Sequence, residues 1–148
     1  MLKTLYVRQA LKPEDAATLS GTAAWQSPSN IALVKYWGKH GHQLPNNPSV
    51  SLTLAEAFTR TQLLWSPKEG KTGRMLFRFH GQEEPSFAEK MKKFLESQAE
   101  VFPFLAAYDL EVESSNSFPH SSGIASSASS MSAFVLCLLD MEVRLSGH

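Results

Sequence analysis

Residues 108–139 join a segment of period two to a segment of helical period through a turn of almost wholly small side chains, and few backbone arrangements accommodate all three. Tyr108, Leu110 and Val112 alternate with Asp109, Glu111 and Glu113, as in a strand with one buried face. Pro119 and Gly123 then punctuate the chain, and Ile124, Met131, Val135, Leu138 and Leu139 recur at helical spacing. A strand, a loop and a helix from about Ile124 are expected in that order. The first turn of such a helix carries N–H groups without intrahelical partners and the positive end of the macrodipole, so an anion fits there. Gly123 lets backbone approach an oxyanion, and the hydroxyls of Ser121, Ser122, Ser126 and Ser127 add donors. Two plainer readings stay open: a serine-rich linker, and a helix whose serines serve as caps and bind nothing. A linker lacks the apolar helical stripe that follows here.

The rest of the chain reads as α+β. Residues 1–22 read as an arm of mixed character broken by Pro13 and Gly21, and residues 23–148 as part of one domain, without repeats or a clear linker. Residues 23–37 are strand-like but interrupted at Pro28, a Gly-, Asn- and Pro-rich loop covers 38–48, and 49–54 suggest a short strand. Residues 59–65 and 74–80 suggest a hairpin joined by SPKEGKTG, with Met75, Phe77 and Phe79 on one face. After Pro85, Ser86 and Glu89 have capping-box spacing, and Phe87, Met91, Phe94 and Leu95 form a helical stripe.

Composition narrows the setting. The 148 residues, 43% hydrophobic, suffice for one core. Fourteen basic and fourteen acidic side chains cancel without a basic block, which argues against nucleic acid or an anionic membrane as the main partner. No run approaches a membrane span, and the N-terminus lacks a signal-peptide pattern. The lone Cys137, within the apolar helical run, excludes a disulfide framework and fits a reducing cytoplasmic setting.

A second chemical segment is SPSNIALVKYWGK, residues 27–39. Asn30 supplies an amide, Lys35 and Lys39 two ammonium groups, and Tyr36 a phenol within ten residues. If 31–37 are extended, Lys35 lies inside an apolar strand and needs an anionic partner such as phosphate or carboxylate. The alternative has both lysines reaching solvent from an edge strand, with Tyr36 and Trp37 as core aromatics. His40 and His42 have no carboxylate or Cys beside them to complete a metal site.

The loop PHSSGIASSA, residues 119–128, resembles the phosphate-binding motif of the GHMP kinase superfamily. Within it, SPSNIALVKYWGK resembles the N-terminal signature of the diphosphomevalonate decarboxylases, NNPSVSLTL at 46–54 the segment that follows, and Asn116, Phe118 and Pro119 the residues leading into the loop. The resemblance runs from about Trp25 to Leu139. It implies the GHMP kinase N-terminal fold, that of ribosomal protein S5 domain 2, and an ATP- and Mg²⁺-dependent decarboxylation of 5-diphosphomevalonate to isopentenyl diphosphate in the mevalonate pathway. It assigns Ser121, Ser122, Gly123, Ser126 and Ser127 to the nucleotide phosphates. Tyr36 and Lys39 contact the substrate diphosphate, Lys35 lies near the reacting hydroxyl and carboxylate, and Asn30 and Asn116 orient phosphate-bearing groups.

Departures are also legible. His120, Ser121 and Ser122 stand where the family often has threonine and two alanines, and Ser129 and Ser130 replace the more usual alanine and glycine. The family's later serine–arginine motif and its distant aspartate have no counterpart: Asp15, Asp109 and Asp140 lie in no matching motif. The resemblance therefore implies the N-terminal part of such an enzyme, incomplete and inactive alone, with exposed apolar surface that favours self-association. A related small-molecule kinase, a phosphomevalonate decarboxylase and a non-catalytic module on the same scaffold remain as alternatives.

Overall fold

The computed structural model describes residues 10–16, 18–41, 44–70, 73–119 and 124–147. A five-stranded sheet forms its centre, in the order β1-β4-β7-β5-β6, where β1 is Gly21–Val34, β4 Val50–Pro67, β5 Met75–Phe79, β6 Gln82–Glu83 and β7 Tyr108–Asn116. A two-stranded ribbon, β2 (Lys39–His40) and β3 (Leu44–Pro45), projects from the connection between β1 and β4. Helix α1 is Pro85–Ser97, a 3-10 turn covers Pro103–Ala107, and helix α2 is Ser126–Ser146. No helix among the described residues is long and apolar enough to cross a membrane.

β7 is the strand that its alternation predicts. Tyr108, Leu110, Val112 and Ser114 are buried, and the residues between them are half-buried. The hairpin expected from 59–65 and 74–80 does not form, because β7 enters between its two arms. β7 pairs antiparallel with β4 and parallel with β5, and a parallel neighbour requires a crossover, which α1 supplies. The two short strands expected at 49–54 and 59–65 are instead one strand of 18 residues. Pro28 does not interrupt β1 either. β1 is an edge strand, where a missing N–H is tolerated, and the irregularity appears as a bulge: Pro28 faces Phe58 while Ser29 faces Leu54.

The cap of α1 also differs from expectation. Its N-cap is Glu84, no side chain caps it, and Ser86 lies inside the first turn behind Pro85. Proline fits there because the first turn has no intrahelical use for its N–H. The expected stripe is nonetheless the packed one, with Met91 buried and Phe87, Phe94 and Leu95 against the core. In α2 the buried face is Ser129, Ala133, Phe134, Cys137, Leu138, Met141 and Leu145. It is turned from the expected one, so Leu139 is exposed and Met131 and Val135 are half-buried.

The buried side of the sheet divides in two. Leu63, Trp65, Phe77, Leu110 and Val112 join Phe134, Leu138 and Met141 in an apolar core. Burial of such side chains contributes roughly 1.5–3 kcal/mol each. Towards the other end, Ser27, Ser29, Thr59, Thr61 and Ser114 are buried with Ser129 of α2, and each of these sites is small enough for close approach. Gly21 belongs to the apolar half: a Cβ there would meet the Trp65 ring at 2.4 Å. Upstream, Leu11 and Ala16 pack on the core, and Leu11 N–H donates to Glu142 Oε1 at 3.3 Å.

Candidate functional site

Two sequence segments meet where the small-residue half of the sheet ends. The Ser29 hydroxyl of β1 donates to the Ile124 carbonyl at 3.2 Å, just before α2. Beside this link lies a cavity of about 540 Å³, with Asn30, Lys35, Tyr36, Ser49 and Ser51 as its polar lining and Ala32, Ala125 and Ala128 as its walls. An amide, an ammonium, a phenol and two hydroxyls face one space, with no carboxylate among the lining residues. That donor set suits a phosphate or carboxylate anion.

The α2 side adds to this. The N-cap position is Ala125, without a side-chain cap and with no acidic residue in the first turn, so the reading in which serines cap the helix does not hold for the described residues. Among the described residues no acidic side chain of the first turn offsets the positive end of the helix. Ser126 is half-buried and Ser127 exposed, both in the first turn of α2 but outside the cavity lining. Ser121, Ser122 and Gly123, with His120, lie outside the described residues.

Lys35 is exposed and stands one residue past the end of β1, so the expected burial inside a strand, and the need for a partner that follows from it, are corrected. Tyr36 and Trp37 are likewise not core aromatics, at 41% and 84% exposed. Two asparagines hold this turn in place. Asn47 Oδ1 accepts from Trp37 N–H at 2.7 Å while its Nδ2 donates to the Lys35 carbonyl at 3.3 Å, and Asn46 Nδ2 donates to the Trp37 carbonyl at 3.2 Å. Gly38 sits between them at φ +73°, where a Cβ would lie 2.9 Å from Asn46 Nδ2. Lys39, on β2, lies over the Tyr36 ring at 5.5 Å from its centre, outside the cavity lining. His40 Nδ1 pairs with Asn46 Oδ1 at 2.7 Å.

Asn116, the last residue of β7, is also outside the cavity lining and stands opposite Thr59 of β4. Its Oδ1 accepts from the Thr59 hydroxyl at 2.8 Å, and Thr59 in turn meets the Ser129 hydroxyl at 2.7 Å. Sequence reasoning missed Ser49, Ser51, Asn46, Asn47 and Thr59 as site residues. For the two serines a signal existed, since 49, 51 and 53 alternate as polar positions in a strand.

The chain shares its fold with several solved mevalonate diphosphate decarboxylases, and this makes it a domain of the GHMP kinase fold. The enzyme from Staphylococcus aureus matches 83% of this chain and 38% of its own, at TM-score 0.66 and 28% identity. That from Enterococcus faecalis matches 88% and 44%, at TM-score 0.60 and 32% identity. A third, MDDEF in complex with MVAPP, AMPPCP and magnesium, matches 88% of this chain and 43% of its own at TM-score 0.59 and 29% identity. Residues 27–146 match the diphosphomevalonate decarboxylase-like N-terminal domain, and the chain belongs to that family. The diphosphomevalonate decarboxylase of Debaryomyces hansenii is 33% identical over 129 residues, 79% of this chain and 33% of the relative. That of Saccharomyces cerevisiae is 32% identical over 126 residues, 77% of this chain and 32% of the relative. The chain thus spans about a third of the length of the curated relatives it matches.

Proposed function

We propose that this chain provides the phosphate-binding side of an ATP-dependent decarboxylase that converts 5-diphosphomevalonate to isopentenyl diphosphate. The observation that carries the reading is the cavity between the Lys35–Tyr36 turn and the start of α2, lined by several donors and by no carboxylate. Support also comes from relatives named for this decarboxylation, and from one solved with MVAPP, AMPPCP and magnesium.

The donor set fits phosphates. Tyr36 and Lys39 bind the substrate diphosphate, the Tyr36 ring being held beneath the Lys39 ammonium. Lys35 offsets the negative charge that develops at the reacting hydroxyl and carboxylate, and the amides of Asn30 and Asn116 orient the phosphate-bearing groups. Ser126 and Ser127, with Ser121, Ser122 and the Gly123 backbone, hold the nucleotide phosphates at the start of α2. ATP, when bound, supplies the phosphoryl group that makes the tertiary oxygen a leaving group. Among the described residues no carboxylate lines the cavity, and Mg²⁺, when bound with the nucleotide, would supply positive charge to offset its phosphates. The buried Cys137 accords with a cytoplasmic enzyme.

The tips of β1 and β4 carry Leu33, Val34, Val50 and Leu52, all more than half exposed, a surface suited to association with further polypeptide or with a second copy. A monodisperse monomer in size-exclusion chromatography at high concentration would count against the second copy. Site occupancy is tested by NMR of the isotope-labelled chain. Mg²⁺·AMPPCP is expected to shift amides at 124–130, and 5-diphosphomevalonate those at 30–39. Shifts confined to other regions, or none at millimolar ligand, would sink the reading. The chain alone is expected to bind without appreciable turnover.

A further inference from the structure

The Thr59 hydroxyl is fully buried, that of Ser129 nearly so, and together they link the end of β7 to the first turn of α2. Three contacts run along this path: Thr59 to Asn116 Oδ1 at 2.8 Å, Thr59 to Ser129 at 2.7 Å, and Ser129 to the Ser126 carbonyl at 3.1 Å. Two hydroxyls carry two protons, so one of the three contacts lacks one unless the Asn116 amide is turned round. Turned round, the amide would donate to Thr59, Thr59 to Ser129 and Ser129 to Ser126, and the amide oxygen would face outward.

In the structure the amide oxygen of Asn116, and not its nitrogen, faces Thr59 at 2.8 Å. Thr59 therefore donates to the amide oxygen and Ser129 donates to Thr59. The unfilled contact is the longest one, to a carbonyl already inside the helical ladder. With Ser129 donating to it, Thr59 directs its own proton at the amide, and a turned amide would meet that proton with N–H instead of an acceptor. In this arrangement Asn116 Nδ2 has no hydrogen-bond partner among the described residues, and its two N–H groups are available to a ligand.

We infer that Thr59 is a positioning residue which, with Ser129, fixes the Asn116 amide so that its donors, rather than its oxygen, are presented to an anion. The inference rests on the proposed contact of Asn116 with a phosphate-bearing group. It also gives a role to Ser129, which stands where the family resemblance leads one to expect alanine. The relay joins the nucleotide side and the substrate side of the site through buried groups that touch neither ligand.

Thr59→Val keeps the shape and removes the proton, Thr59→Ser restores it, and Ser129→Ala frees the amide to turn. Calorimetric titration with 5-diphosphomevalonate and with Mg²⁺·AMPPCP is expected to show about a tenfold loss of affinity for at least one ligand in Thr59→Val and recovery to within twofold in Thr59→Ser. The Asn116 side-chain amide resonances need no ligand: they should move in Thr59→Val, broaden in Ser129→Ala, and stay in place in Thr59→Ser. A folded Thr59→Val that binds both ligands within twofold of the unaltered chain, or whose Asn116 resonances do not move, overturns the inference. Asn116→Ala separates the two levels. If it weakens binding while Thr59→Val does not, the positioning role alone fails; if it binds as well as the unaltered chain, the contact beneath the inference fails too.

Discussion

Ser29 and Ile124, 95 residues apart, are joined by a hydrogen bond of 3.2 Å from hydroxyl to carbonyl, which ties the neighbours of two cavity-lining residues, Asn30 and Ala125, to each other. Ser29 is 1% exposed and Ile124 half-buried, so loss of the hydroxyl leaves the Ile124 carbonyl short of a donor. Ser29→Ala is expected to cost about 1–2 kcal/mol in urea unfolding and to weaken Mg²⁺·AMPPCP binding several-fold. An unchanged unfolding midpoint together with unchanged binding would show that the link does no work.

Gly38→Ala should separate stability from function. A side chain at φ +73°, 2.9 Å from Asn46 Nδ2, must displace the turn that presents Lys35 and Tyr36. Because the turn is exposed, the cost in global stability is expected to be about 1 kcal/mol. Affinity for 5-diphosphomevalonate should fall more than fivefold; equal affinity would mean that the turn need not be held.

Burial pushes the Cys137 thiol up from 9.0 to about 11, the nearby Asp140 charge adding to the effect. The native state therefore keeps this proton at a pH where the unfolded chain has lost it. The stability contributed by the neutral thiol is complete below pH 9 and is lost as pH rises through about 11. Unfolding measured from pH 8 to 11 should show a steeper decline for the unaltered chain than for Cys137→Ala, and parallel declines would refute this. Native Cys137 should also resist a thiol reagent at pH 8 that modifies it in urea.

At the far end of α2, Arg144 holds the Asp140 carboxyl below its ordinary value of 3.8, helped by the Trp25 indole N–H, which donates to Asp140 Oδ2 at 3.2 Å. The contribution is present above pH 3.8 and is lost as pH falls through the lower native value. Arg144→Ala should move the acid transition of Trp25 fluorescence upward in pH. The pair is partly exposed, so the effect on stability at pH 7 should stay within about 1 kcal/mol. An acid transition independent of residue 144 would exclude the pairing.

Much of this architecture is legible in sequence where burial has a clean period. The alternation at 108–113 gives β7 its faces, and Phe87, Met91, Phe94 and Leu95 give α1 its stripe. What is hidden is non-local. Nothing in residues 59–80 announces that β7, nearly thirty residues downstream, will separate β4 from β5; pairing order is set by the whole sheet. The continuity of β4 is masked because 55–57 face a register jump at Pro28/Ser29 and lose the period of two. The face of α2 is hidden because its partners are small: Ser129 and Ala133 are buried against hydroxyl-bearing strands, while a hydrophobic stripe favours larger neighbours.

The site was legible as chemistry and less so as geometry. The motif residues identify the donors, and the structure brings Asn30, Lys35 and Tyr36 to one cavity. Lys39 and Asn116 lie outside its lining, Lys39 over the Tyr36 ring and Asn116 against the Thr59 hydroxyl. Lys35 reaches the cavity because β1 ends before it, which no periodicity reveals. Asn46 and Asn47 act through backbone groups of a turn, a role that turn composition suggests but cannot assign.

The central claim is that this cavity binds a phosphorylated substrate with Lys35 beside the substrate carboxylate. Calorimetric titration of the unaltered chain and of Lys35→Ala with 5-diphosphomevalonate, in the presence of Mg²⁺·AMPPCP, tests it most directly. Removing a charge-assisted contact of this kind is expected to weaken binding roughly tenfold or more. The substitution should leave the unfolding midpoint unchanged, because Lys35 is exposed. Equal affinity in the two proteins, or no heat of binding from the unaltered chain at millimolar ligand, would contradict the account.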